Sequence, residues 1–312
     1  MLKPKIRRAA QVGCYRLDQH VFLASGSLKQ RYTLQALHQH VAPAHDWRAL
    51  QAMAVELGLT DADWHWVLPP EQYQIRLLDV PNVPEEEMKD ALAFRVRDMI
   101  SMPLEEAVVD TCLLPADAFK GRERKAFAIV AHREPVERLV QQFGRAGLRL
   151  ASIDVADMAL RNLLVLAAQS SSSALLRMRE NDSTLNMVYE TDLCLNRALS
   201  QGTRMFDVDE PATQGLSLVG DDDLEREALA LELQRSLDYF DNQLGLGSVR
   251  ELFVVPDSEL DPALYTYLSQ RFGVRVTAFQ WHDGMDIDDA LAELPLDAFA
   301  EAIGGTLRWL RG

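Results

Sequence analysis

Three histidines, His38, His40 and His45, fall in one short stretch, and aspartates crowd at Asp221-Asp222-Asp223 and from Asp286 to Asp289. A metal centre would need the imidazoles to converge, but on a helix positions i and i+2 face apart, so these read as satisfied or exposed side chains. The aspartate runs read as helix N-terminal caps, where carboxylates oppose the positive end of the helix dipole. A serine hydrolase would present its nucleophile in GxSxG, which does not occur. Cys14, Cys112 and Cys194 are widely spaced and lack a CxxC pair, which gives neither a zinc site nor a disulfide framework and suits a reducing compartment. Neither GxxxxGK[ST] nor GxGxxG occurs, so phosphate is not gripped by either loop. The residues therefore predict a protein that is not an enzyme, with no metal site and no catalytic residue.

Composition narrows the partners. With 312 residues, 48% of them hydrophobic, the chain can bury two cores at about 150 residues per domain. A net charge of −15 repels phosphate backbones and anionic membranes, which makes nucleic acid a poor partner. Basic clusters at Lys3, Lys5, Arg7 and Arg8 and in GRERK, Gly121 to Lys125, read as a solubilising terminus and a solvated turn. No signal-peptide core follows the basic N-terminus, and no apolar run nears the roughly 18 residues that span a bilayer. The expectation is a soluble cytoplasmic protein.

The elements that position these residues follow from hydrophobic spacing. Runs around Val12 and Val21-Phe22-Leu23-Ala24 predict two strands joined by a turn at Arg16 to His20. Asp46 to Leu57 predicts a helix, with Leu50, Met53, Ala54 and Leu57 on one face and Gly58 past its end. WHWVLPP and YQIRLLDV predict strands paired around a Pro-Pro turn. Pro84 with Glu85, Glu86 and Glu87 predicts a helix start, and an apolar face from Met88 through Leu92 and Val96 to Met99 and Ile100 carries the helix to Pro103. Strands at Ala107 to Leu114 and Ala126 to Ala131 then flank GRERK, followed by a helix closing at Gly147 and a strand, LRLASIDV. Near Met158 a second half opens with a helix, a loop of four serines from Ser170 to Ser173, and strands at 174–178, 184–189 and 193–199. DDDLEREALALELQRSLDYFDNQLG predicts a long helix, LFVVP a buried strand, DPALYTYLSQRFG a helix, VRVTAF a strand, and Pro295 to Leu310 a closing helix. Each half opens with a strand meander and then alternates helix and strand, which predicts a two-lobed α/β architecture with a related plan in each lobe.

Three stretches carry a family resemblance. LPPEQYQIRLLDVPNVPEEEMKDALAFRVRDMISMPLEEAVVD resembles the accessory subdomain of PilM-type proteins, actin-like components of type IV pilus assembly, and especially the MshI-type proteins of the MSHA pilus. The family's I-P-x-P-L-E-E segment corresponds to Met99 through Glu106, with Asp110 ending the strand. AFAIVAHREPVERLVQQFGRAGLRLASIDVADMALRNLL is similar to the passage linking the lobes, and ELQRSLDYFDNQLG to an E-x-x-R-S helix. The likeness runs from about Trp66 to Arg308. It implies an actin-like (ribonuclease H-like) two-lobed fold. The first lobe would be 1–157, with an inserted accessory subdomain at about 80–150 and a closing helix, 295–312, returning to it; the second lobe would be 158–294.

The same resemblance implies a scaffold that binds the cytoplasmic tail of a PilN-like inner-membrane protein, together with other pilus assembly proteins, and that sits at the inner membrane through that partner; self-association stays open. The tail would lie near Phe94, Met99, Ile100, Pro103 and Leu104. Nucleotide-binding members carry D-x-G turns and a late GG. Here VGCYRLDQHVFLA lacks the first turn, Arg177 to Arg179 stand at the second, and Pro256-Asp257 replace the glycines. Side chains and proline at such turns remove the close backbone approach that phosphate needs, so no cofactor is expected, ATP and Mg²⁺ included. Glu232, Arg235 and Ser236 match the helix that reaches toward the nucleoside and are the residues of a vestigial site; read as structure alone, Glu232 and Arg235 are ordinary helix-surface charges. The alternatives are an active ATPase of the same fold and a cytoplasmic component of type II secretion.

Overall fold

A meander of three antiparallel strands opens each half of the chain. The computed structural model describes residues 10–28, 30–41, 46–121, 124–206, 221–291 and 293–308. These fall into two units: one built from the described residues up to Cys112, Phe127–Leu166 and those from Trp281 onward, the other from Leu113–Ala126 and Ala167–Gln280.

The first unit is built on strands β1 (Gln11–Leu17), β2 (His20–Leu28), β3 (Tyr32–Val41), β4 (Asp63–Leu68), β8 (Arg149–Val155) and the two-residue β14 (Asp286–Ile287), which follows the single-turn helix α7 (Trp281–Gly284). Their order is β14-β3-β2-β1-β4-β8, antiparallel through the meander and parallel from β1 to β4 to β8. Helices cover both faces, so β4 reads as a nearly continuous buried run and not as an alternation. On one face α1 (Trp47–Glu56) and α3 (Arg133–Ala146) pack over Val12, Cys14, Leu23, Trp64 and Phe143. On the other, α8 (Ala300–Thr306) lies so close that a Cβ on Gly13 would sit 1.8 Å from the Ala302 carbonyl oxygen. Behind it, α4 (Ala156–Ala167) approaches Gly304 through the Ala159 main chain, and Asn162 donates to the Gly304 carbonyl at 3.0 Å.

A separate three-stranded sheet, in the order β5-β7-β6, forms from β5 (Tyr73–Asp79), β6 (Ala107–Leu113) and β7 (Lys125–His132), accompanied by α2 (Glu85–Arg97). This overturns the pairing expected around Pro69-Pro70. β4 belongs to the six-stranded sheet and β5 to this one, because Pro69 and Pro70 turn the chain through a single turn of 3₁₀ helix and not into a hairpin. α2 also stops earlier than expected, at its cap Asp98 and not at Pro103, so Met99 and Ile100 are no part of its helical face.

The second unit repeats the plan as β11-β10-β9-β12-β13, from β9 (Ser172–Met178), β10 (Ser183–Tyr189), β11 (Asp192–Leu199), β12 (Glu251–Pro256) and β13 (Arg275–Ala278). Here α5 (Asp221–Tyr239) and α6 (Pro262–Phe272) are joined through Glu227, which accepts from Tyr267 and Arg271. The serine run is a correction too: Ser172 and Ser173 are buried in β9. Their hydroxyls donate to the Leu246 carbonyl and to buried Glu251, which offsets the loss of water.

The histidines also sit otherwise than expected. His38 and His40 lie on β3, where i and i+2 share a face; His45 lies outside the described residues. Among the described residues no group of three His, Cys, Asp or Glu could hold a metal ion. Of the acids expected as caps, Asp286 belongs to β14, while Asp288 accepts from the Ala290 amide at 3.1 Å. In the closing segment, a 3₁₀ turn at Leu296–Phe299 leads into α8, and Trp309 and Leu310 lie outside the described residues, as do Arg122 and Glu123 of GRERK.

Candidate functional site

The C-terminal ends of β1 and β4 meet the first turns of α3 at a groove of about 700 Å³ in the first unit. Trp66 and Leu68 of β4, Leu17 of β1, and Val136 and Leu139 of α3 make it apolar. Arg16, Asp18, Glu71 and Arg138 give it charges of both signs. Local chemistry shapes each wall. Pro69 ends β4 and turns the chain away, and the tight β1–β2 turn puts Asp18 in left-handed backbone, where its carbonyl accepts from Arg16 Nε at 2.9 Å. Trp66 stands edge-on to Phe143 with ring centroids 6.0 Å apart, which fixes the indole. A cleft of this size with an apolar floor and a few polar groups suits a ligand that brings apolar side chains.

None of the five residues expected to contact a partner lines this groove. Phe94 and Met99 come together in a different pocket, of about 410 Å³, with Leu77, Leu78, Asp79, Arg95 and Asp98. Ile100 and Leu104 are half-buried and Pro103 is exposed, all outside that pocket. Glu232 and Arg235 of α5 pair with each other at 2.6 Å. Ser236 is fully buried, donates to the Glu232 carbonyl at 2.8 Å and accepts from Arg197 of β11 at 3.0 Å. All three thus engage α5 itself, and Ser236 also engages β11.

The ends of β9 and β12 and the β9–β10 turn in the second unit carry charged side chains. At the end of β9, Arg177 is buried and its guanidinium meets Asp257, just past β12, at 2.6 Å. Arg179 bonds Asp182 at 2.9 Å and the Thr184 hydroxyl at 3.2 Å, both across the same turn. The turn is held from outside as well: the amides of Thr203 and Arg204 donate to the carbonyls of Arg179 and Glu180 at 2.8 and 3.0 Å. A Cβ on Gly202 would fall 2.4 Å from the Glu180 oxygen, so the two segments lie in backbone contact. Cys14 is buried under α1 and α3, and burial pushes its thiol well above the usual range, so it is held as the weakly nucleophilic thiol.

No protein-family model matches the sequence, and no curated protein does. Solved structures do match. A chain of the PilM-PilN type IV pilus biogenesis complex is 19% identical, aligns over 99% of this chain and 100% of its own, and superposes with a TM-score of 0.70. The fold is actin-like. Diol dehydratase-reactivating factor, in nucleotide-free form, aligns over 97% of this chain and 100% of its own at 8% identity, with a TM-score of 0.53. The cytoplasmic domain of EpsL, an inner membrane component of the type II secretion system of Vibrio cholerae, covers 84% of this chain and 94% of its own at 13% identity, TM-score 0.48. At such identities the first two overlays speak for the fold alone.

Within this actin-like fold, the groove residues Trp66, Leu68, Val136 and Leu139 escaped the sequence reading. A signal was present. WHWVL repeats a large aromatic two residues apart on one strand face, and the core takes only Trp64 completely. Likewise α3 carries more apolar residues than the sheet covers, leaving Val136 half-buried and Val140 exposed.

Proposed function

We propose that this chain is a non-enzymatic scaffold of a pilus-assembly machine, seating the short cytoplasmic tail of a PilN-like inner-membrane protein in the groove between β1, β4 and α3. The observation that carries this is the groove itself, about 700 Å³ with a floor of Trp66, Leu68 and Leu139. Support comes from the full-length overlay on a chain of the PilM-PilN complex. The MSHA-type system is the favoured setting, by the likeness of the Met99 to Glu106 segment to its MshI proteins. No described helix is long and apolar enough to cross a membrane, and in this reading the chain reaches the cytoplasmic face of the inner membrane through its partner.

The scaffold works without nucleotide turnover in this proposal. A glycine-lined phosphate cradle needs main-chain amides at close range, whereas this chain puts Arg177, Arg179 and Asp257 side chains and Pro256 at the corresponding turns. Calorimetry tests the two halves separately. Titration with the N-terminal peptide of a PilN-like protein from the same organism should saturate at micromolar concentration, and a flat isotherm at high micromolar peptide sinks the scaffold reading. Titration with ATP and Mg²⁺ should give no binding heat; a sub-micromolar constant sinks the nucleotide-free reading alone.

A further inference from the structure

Three residues, Arg16, Trp66 and Gln142, line both the groove and a smaller cavity of about 100 Å³. Val21 of β2, with Leu50 and Met53 of α1, gives the small cavity an apolar wall, and Val21 and Met53 are themselves buried. An apolar cavity of roughly 150 Å³ holds one benzene molecule. The smaller one here takes a branched aliphatic side chain and not an aromatic ring. Gln142 follows Leu139 by three residues on α3, so both face the groove. Its Nε2 is buried and has no hydrogen-bond acceptor among the described residues. A buried donor left in this way weakens the fold, and native proteins keep few of them. A carbonyl carried in beside Trp66 by a ligand answers it.

Resting on the reading that the groove seats a peptide tail, the geometry points to one composite site. The tail lies in the groove, one side chain of valine, leucine or isoleucine size turns past Trp66 into the small cavity, and a main-chain carbonyl beside it accepts from Gln142. Burial of that side chain against Val21, Leu50 and Met53 takes apolar surface out of water. The cavity then selects by size, because a ring does not fit and a methyl group leaves it part-empty. The Gln142 amide selects for a tail whose main chain passes close to Trp66.

Calorimetry on the full chain, with the N-terminal peptide of a PilN-like protein from the same organism and with its single-alanine variants, reads both features. In the wild type, truncating one aliphatic residue of the peptide to alanine should cost about tenfold in affinity or more. Ala49→Leu, which adds bulk to the wall of the small cavity, should weaken the full peptide about tenfold and shrink that truncation loss to about twofold or less. Val55→Leu, on the same helix but 63% exposed and outside both cavities, should change neither. Gln142→Met keeps the length of the side chain and removes the orphaned donor, so binding should weaken about fivefold while Tm holds or rises. A glutamine with a structural role alone would lower Tm and leave binding as it was. If Ala49→Leu loses its fold by circular dichroism, the smaller Ala49→Val takes its place. A wild type that does not bind the peptide overturns the groove reading and this site with it. Where the wild type binds, a cavity variant that binds as tightly overturns the side cavity, and a Gln142→Met variant that binds as tightly overturns the role of the amide, with the groove left standing in both cases.

Discussion

The carboxylate of Asp257 lies 2.6 Å from the guanidinium of Arg177, whose side chain is only 4% exposed. The other terminal nitrogen of Arg177 donates to the carbonyls of Val255 and Met178, at 3.2 and 3.3 Å, so one residue ties the end of β9 to the end of β12. Removing Asp257 takes a carboxylate partner from a buried cation. A fully buried pair broken this way costs about 3–5 kcal/mol, and because Asp257 keeps some contact with water, Asp257→Ala is expected to cost about 2–4 kcal/mol in urea unfolding. Adding Arg177→Met should return most of that loss, since neither charge then remains. A single variant within about 0.5 kcal/mol of wild type would mean that the pair contributes little to stability.

Two glycines should respond oppositely to the same added methyl group. On Gly13 the new Cβ would meet the Ala302 carbonyl oxygen at 1.8 Å, and both partners are main chain, so β1 and α8 must separate. Gly13→Ala is expected to cost about 3 kcal/mol or more, at or beyond the upper range for overpacking. Gly144, inside α3, has open space where a methyl group would go, with nothing within 4 Å. Gly144→Ala should therefore stabilise by about 0.5–1 kcal/mol through helix propensity. Thermal unfolding of the two variants side by side checks the sign of each.

His65 makes the first unit acid-sensitive. Its ring nitrogens lie 2.7 Å from Ser152 Oγ and 2.8 Å from Gln11 Oε1 on the buried sheet. Burial holds its pKa below the ordinary histidine value, with Arg308 pushing the same way and Asp63 and Asp154 opposing. The unfolded chain then binds the proton more readily than the folded one, so stability rises with pH through this group and is lost as pH falls below the unfolded value of about 6.5. His38 is lowered as well and adds in the same direction. Tm should fall between pH 7.5 and pH 5.5, and His65→Gln should flatten that slope. An unchanged slope in the variant would assign the acid sensitivity to other groups.

Local signals are legible where one element settles its own form. The helix at Asp46 is readable because Asp46 caps it, accepting from the Arg48 and Ala49 amides at 2.9 and 3.3 Å. The first two strands of the first meander and all three strands of the second are readable from their apolar runs, whereas β3 is not. What fails needs distant partners. Pro69-Pro70 resembles a hairpin turn unless β8 and β7 are known to be waiting for β4 and β5. Ser172 and Ser173 resemble a loop unless Glu251, nearly eighty positions later, is known to meet the strand. His38 and His40 would face apart only on a helix, and the chain there is a strand. The groove is hidden for the same reason: Trp66 and Val136 are unremarkable in their own segments, and only the parallel arrangement of β1 and β4 under α3 puts them in one cleft.

Within that cleft, two neighbouring residues of α3 should separate binding from folding. Val136 is half-buried at the groove, and Val136→Arg places a long cationic side chain in it while removing little from the core. Peptide affinity should fall at least tenfold, or about 1.4 kcal/mol, with Tm nearly unchanged. Leu139 also lines the groove but is buried against the core, so Leu139→Ala should cost about 2–5 kcal/mol of stability by leaving a cavity. Calorimetry and thermal unfolding on both variants give four readings. If Val136→Arg binds the peptide as tightly as the wild type does, the tail does not occupy this groove, even where the wild type binds it well.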